Sequence, residues 1–142
     1  MRYKFDLSPQ IKNTVEWHLR DFKEDRRQLE SLKADLIPSP TKSISPTGGL
    51  SGGLPGRDTE NVAMTIMSSP YIRRIEITCE GIERAMKRMD ETDKKLIDLV
   101  YWKQEYTVEG AGMKIGLSKS AAYQRINKIL GSIAYELGYV SI

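Results

Sequence analysis

Cysteine and histidine are almost missing from this chain: Cys79 and His18 are the single instances of each. One thiol forms no intrachain disulfide and builds no thiolate metal site. One imidazole, set in a charged helical pattern, has no partner set for a metal centre or a nucleophile triad. Glu105 and Glu109 flank a helical motif without forming a spaced carboxylate pair in a recognisable pocket. No catalytic constellation, metal or cofactor is therefore expected. Large aromatics are scarce too, with two Phe and two Trp, so bulky anchors are few. No apolar run reaches the length of a membrane span, and the opening MRYKFDLSPQ has no apolar core of the signal-peptide kind. With so little cysteine, a reducing cytoplasm is the simplest compartment. A membrane is not an expected partner.

The 142 residues fit one modest domain, or a small domain carrying an arm. A charged share of 29% and a net charge of +3 permit nucleic-acid binding without demanding it. Four segments follow from composition. Residues 1–37 form an N-terminal helix: Ser8 can cap it, Pro9 suits its first position, and Ile11, Val15, Leu19, Phe22, Leu29, Leu32 and Leu36 recur at helical spacing. Arg26 interrupts that stripe, and mixed charges fill the other face. Residues 38–57 are rich in proline and glycine and read as a flexible linker. Their glycines lack the Gly-Lys-Ser/Thr of a phosphate loop.

Residues 58–89 form a second arm. Asp58-Thr59 can start a helix, and Ser69-Pro70 interrupts it and can cap a new one. Beyond that point Ile72, Ile75, Cys79, Ile82, Met86 and Met89 step by three and four, as in a coiled-coil seam. Two uses of this seam stand open. It can pack on the first helix as an antiparallel hairpin, or join copies of the chain into a homo-oligomer.

Residues 90–142 carry the chemistry. A helix is expected from Asp90 to near Lys103, with Asp93 placed as in a capping box and Leu96, Ile97, Val100 and Tyr101 facing inward. Thr107 caps a short helix running to Ile115, in which Gly110, Ala111 and Gly112 are small enough for close approach to another helix. Gly116 suits the left-handed turn that ends it, Leu117 is expected to bury, and Ser118 caps a longer helix to about Leu137. Ala122, Ile126, Ile129, Leu130 and Ile133 form the inward stripe of that helix. No acidic residue occurs from Lys119 to Ile133.

This layout is that of a helix-turn-helix, whose second helix enters the DNA major groove. Lys119, Arg125 and Lys128 can neutralise phosphate or read guanine. Gln124 and Asn127 can pair with base edges, and Ser118 and Ser120 can hold a phosphate at the helix start. Thr107 and Tyr123 complete the expected DNA-binding set.

The segment YWKQEYTVEGAGMKIGLSKSAAYQRINKIL resembles the sigma-factor region 4 type of helix-turn-helix. Over most of its length the chain resembles the RinA/ArpU-like phage transcriptional regulators. The stretches GLPGRDTENVA, IERAMKRMDETDKKLIDLVYW and LSKSAAYQRINKILGSIAYELG carry that likeness, together with the long first helix. At Gly110 and Gly112 the chain has glycine where that pattern has helix formers. At Ala121-Ala122 it is small where a larger β-branched residue often sits.

The resemblance implies an activator of late (packaging and morphogenesis) phage genes, acting in the bacterial host cytoplasm near host RNA polymerase. The expected fold is all-α: an N-terminal helical hairpin or arm, then the C-terminal helix-turn-helix. Double-stranded DNA is the expected partner. A second reading of the layout is a DNA-packaging recognition subunit of the small-terminase kind, with the motif mounted on an oligomerising hairpin. A third is an interaction module whose motif does not bind DNA.

Overall fold

The computed structural model describes residues 7–36 and 69–141, and the described chain is helical without strands. The linker expected at 38–57 and the helix start expected at Asp58 lie outside the described residues. Helix α1 spans Pro9–Leu36 and α2 spans Pro70–Lys87. Helix α3 spans Glu91–Ile97 and continues as a widened turn over Asp98–Trp102; α4 spans Val108–Lys114 and α5 spans Lys119–Glu136.

Helix starts follow the expected caps. The Ser8 hydroxyl accepts the Ile11 N–H at 3.3 Å, and the Ser69 hydroxyl accepts that of Ile72 at 3.2 Å. In each case proline occupies the first helical position, where no backbone donor is needed. Asp90, Thr107 and Ser118 cap α3, α4 and α5, each accepting the N–H three residues on.

Helices α4 and α5 end alike. Gly116 and Gly138 take positive φ, of 84° and 80°. The Leu117 N–H reaches the Gly112 carbonyl at 2.7 Å, and the Tyr139 N–H reaches that of Ala134 at 2.9 Å. The paired bonds from Gly116 to Met113 and from Gly138 to Tyr135 complete a Schellman closure at both ends.

Compact packing divides the described chain inside α1 and α2, whereas composition divides it at 37, 57 and 89. One unit holds residues 7–24 and 77–141; the other holds 25–36 and 69–76. In the smaller unit Lys33 of α1 pairs with Glu76 of α2 at 3.4 Å, the proximity an antiparallel hairpin requires.

The larger unit contains most of the core. Val15, Leu19 and Phe22 of α1 are buried there, with Cys79, Ile82 and Ala85 of α2. The seam expected from Ile72 to Met89 is thus covered at its centre within a single chain. It is also broader than two columns, since Thr78 and Ala85 are buried beside Cys79 and Ile82. Met89 lies past the end of α2, where its N–H bonds the Met86 carbonyl at 3.0 Å.

The helix expected to run unbroken from Asp90 to Lys103 changes pitch after Ile97. The Lys103 N–H bonds the Asp98 carbonyl at 2.7 Å, five residues back. This widened turn is where α1 attaches. Tyr101, fully buried, donates to Glu16 at 3.0 Å, and the Trp102 indole donates to the Leu19 carbonyl at 3.0 Å. Phe22 stacks on Trp102, with ring centroids 5.9 Å apart. Consecutive side chains of a regular helix diverge by roughly 100°. The π-type turn is the place where two consecutive side chains both reach α1.

Candidate nucleic-acid interface

The α4–α5 pair is joined by residues 115–118 and held by close contact at one crossing. A Cβ built on Gly112 would stand 2.6 Å from the Cβ of Ala122 and 3.7 Å from that of Leu117. Only glycine leaves room there. Gly110 differs from the expectation of close helix approach: the nearest atoms to a Cβ built on it are the Thr107 hydroxyl at 3.3 Å and the Tyr106 ring. Its small size serves the cap rather than a helix crossing.

Helix α5 has two halves. Ile126, Ile129, Leu130, Ile133 and Ala134 are buried, and Gly131 with them, so most of the C-terminal half is enclosed, with Tyr135 left exposed. Glu136 closes that end by pairing with Arg84 at 3.1 Å and with Arg88. Leu137 packs where a Cβ on Gly81 would stand, 2.6 Å from its Cδ2. His18 of α1 meets the Tyr139 hydroxyl at 2.9 Å, with the two rings stacked. The N-terminal half is buried along one side only, at Ala122, and at Ile126 where the halves meet; Lys119, Ser120, Tyr123, Gln124, Asn127 and Lys128 are exposed.

Apart from Lys119, exposed at the start of α5, the expected DNA-facing residues fall into three groups. Ser120, Tyr123, Gln124, Asn127 and Lys128 share the open side of α5. Thr107 and Ser118 are exposed caps: their hydroxyls accept the Gly110 and Ala121 N–H groups, both at 3.1 Å. Arg125 stands apart. Its Nη1 donates to both Asp90 oxygens, at 3.1 and 2.9 Å, and to Asp93 at 3.1 Å. On a helix at roughly 100° per residue it points about 140° from Ser120 and about 160° from Asn127, but about 60° from Lys128, so it flanks the open side.

The three cations of α5 are thus unequally engaged. Arg125 is held by two carboxylates, which keep its guanidinium protonated beyond the ordinary range. Lys119 lies 3.8 Å from Glu109, with both side chains largely exposed, a pairing of little strength in water. Lys128 has no ion-pair partner within the described structure. A further cation, missed by the sequence reading, is Lys114 of α4. It donates to the Tyr106 hydroxyl at 2.9 Å and lies 5.0 Å from that ring's centroid. The hydrogen bond to Tyr106 raises its pKa above the ordinary value of 10.5, so it stays charged. The spacing of Tyr106 and Lys114 across a helix start carries no regular signal by which it could be found.

Beside this face lies a cleft of about 440 Å³ lined by Arg88, Asp90, Asp93, Gln124, Arg125 and Lys128 among others. No group of three or more metal-ligating side chains is assembled among the described residues, and no described helix is long and apolar enough to cross a membrane. Comparison of the chain with protein-family models, curated proteins and solved structures returned no match.

Proposed function

We propose that this chain binds double-stranded DNA in a sequence-specific manner, laying the N-terminal half of α5 in the major groove. The observation that carries the reading is the open face of Ser120, Tyr123, Gln124, Asn127 and Lys128 on a helix capped at Ser118 and crossed by α4 at Gly112. That face is polar and basic and holds no carboxylate. Gln124 and Asn127 offer the paired donor and acceptor that read adenine, and Lys128 and Lys119 offer charge to phosphate or guanine. Tyr123 offers a flat apolar edge with a hydroxyl. The first half of α5 is the working part, because the second is enclosed by the protein.

The role we assign is activation of late phage genes in a bacterial host, close to host RNA polymerase. Its support is the resemblance of most of the chain to RinA/ArpU-like regulators rather than any feature of the DNA-facing side. Selection from a pool of randomised duplexes, followed by transcription with purified bacterial polymerase on a template bearing the selected site, tests both parts. Enrichment of one sequence and a rise in transcript from that template are expected. Binding without enrichment would overturn sequence specificity, and enrichment without a transcript response would overturn the activating role.

A further inference from the structure

We infer that Arg125 is a positioning residue, one that sets the rotation of α5 about its axis and so aims Gln124 and Asn127, rather than a DNA contact. The inference rests on the DNA-binding reading above. Three relationships carry it. Arg125 lies at the edge of the open face, about 60° from Lys128 but about 140° from Ser120 and about 160° from Asn127, and its Nη1 is turned onto Asp90 and Asp93. Its guanidinium closes a ring of hydrogen bonds: Asp90 accepts the Asp93 N–H at 2.8 Å while Arg125 donates to both carboxylates. The cap of α3 and the side chain of α5 are therefore fixed by the same oxygens. Finally, α5 is held on two sides of its first half, at Ala122 by steric contact with Gly112 and at Arg125 by charged hydrogen bonds.

The buried stripe from Ala122 to Ala134 seats α5 along one side. Arg125, roughly 60° round the axis from Ala122 given about 100° per residue over three residues, adds a hydrogen-bonded stop at the edge of that seat and tightens the roll of the first half. A few degrees of roll at the axis displaces the tips of long side chains such as Gln124 by a large share of a hydrogen bond's tolerance. Groups that touch no ligand commonly fix those that do in this way. Asp93 is the more telling partner, because α3 keeps its capping residue when Asp93 changes.

The test uses the full chain and two duplexes, one obtained by selection and one unrelated, with affinities measured across a range of salt. Arg125→Ala removes a positive charge near DNA and so weakens both duplexes slightly, but it is expected to weaken the selected duplex about tenfold more than the unrelated one, with the salt slope lowered by well under the one unit of a lost phosphate contact. Asp93→Asn is the second variant. Removing a negative charge near DNA should by electrostatics alone tighten binding to both duplexes. Loss of the Asp93 part of the guanidinium's anchor instead weakens the selected duplex, and the double variant adds little to Arg125→Ala alone. A slope lowered by about one in Arg125→Ala on both duplexes, or tighter binding of the selected duplex by Asp93→Asn, would overturn the positioning role. A wild-type chain that binds no duplex would overturn the DNA-binding reading, and this inference with it.

Discussion

Gly112 and Ala122 meet so closely that a methyl group added to the glycine would stand 2.6 Å from the Cβ of the alanine. The contact joins the two short-range elements on which the proposed DNA face depends. A glycine on α4 thus faces an alanine on α5.

Gly112→Ala is expected to destabilise the protein, and Gly110→Ala is not. Alanine gains about 1 kcal/mol over glycine in a helix interior. At position 112 that gain is outweighed by two backbone-bound carbons forced together, an overpacking cost of about 1–3 kcal/mol. At position 110 the nearest obstacle is a hydroxyl at 3.3 Å that can yield slightly. Urea denaturation of the two variants should separate them by about 1 kcal/mol or more, with Gly112→Ala the weaker. Equal midpoints would show that the crossing relaxes freely.

Tyr101 should hold its phenolic proton far into the alkaline range. Burial, then the charge and hydrogen bond of Glu16, push its phenol far above the ordinary value of 10.0. The folded state holds this proton more tightly than the unfolded chain, so the associated stability is complete below about pH 10 and is lost as pH rises beyond it. Tyr101→Phe is expected to flatten that alkaline decline and to cost roughly 1–2 kcal/mol at neutral pH through the lost bond to Glu16. Absorbance titration should show one tyrosine fewer released on alkaline unfolding in the variant than in the wild type.

Asp90 behaves in the opposite sense. The hydrogen bond from Arg125, then that from the Asp93 N–H, hold its carboxyl below the ordinary value of 3.8. The unfolded chain binds this proton more tightly, so the stabilising effect is present above about pH 4 and lost as pH falls through the lower folded value. Asp90→Asn keeps a capping oxygen and removes the charge. Its stability should fall less steeply with acid than that of the wild type. Parallel curves would remove Asp90 from the acid response.

Ser118 separates capping from DNA contact. Ser118→Ala is expected to cost about 1 kcal/mol of stability by freeing the Ala121 N–H. Ser118→Asp keeps the cap and places a carboxylate where the DNA backbone would pass, so stability should hold while affinity for every duplex falls. Unchanged affinity in Ser118→Asp would put the helix start away from the DNA.

Local chemistry was legible in the sequence, and distant partners were not. Ser8, Ser69, Asp90, Thr107 and Ser118 cap the helices they were expected to cap, because a cap needs only residues within three positions. Gly116 was legible for the same reason. The partners of Arg125, Trp102, Tyr101 and His18 lie 32 to 35, 83, 85 and 121 residues away. No spacing rule reaches that far. Arg125 carries the charge expected of a DNA-facing cation, and its carboxylate partners at the start of α3 lay beyond any spacing rule. The widened turn at Asp98–Trp102 was hidden because an apolar stripe reads the same through a change of pitch. The seam from Ile72 to Met89 displayed its apolar period but not its cover, which here comes from the same chain.

Backbone amide shifts recorded while the selected duplex is added to the full chain test the DNA-facing assignment most directly. The proposed reading predicts large, saturable shifts at Ser120, Tyr123, Gln124, Asn127 and Lys128, with small ones at Arg125 and along the enclosed half from Ile129 to Glu136. Shifts confined to α1 or α2, with the first half of α5 unmoved, would contradict it.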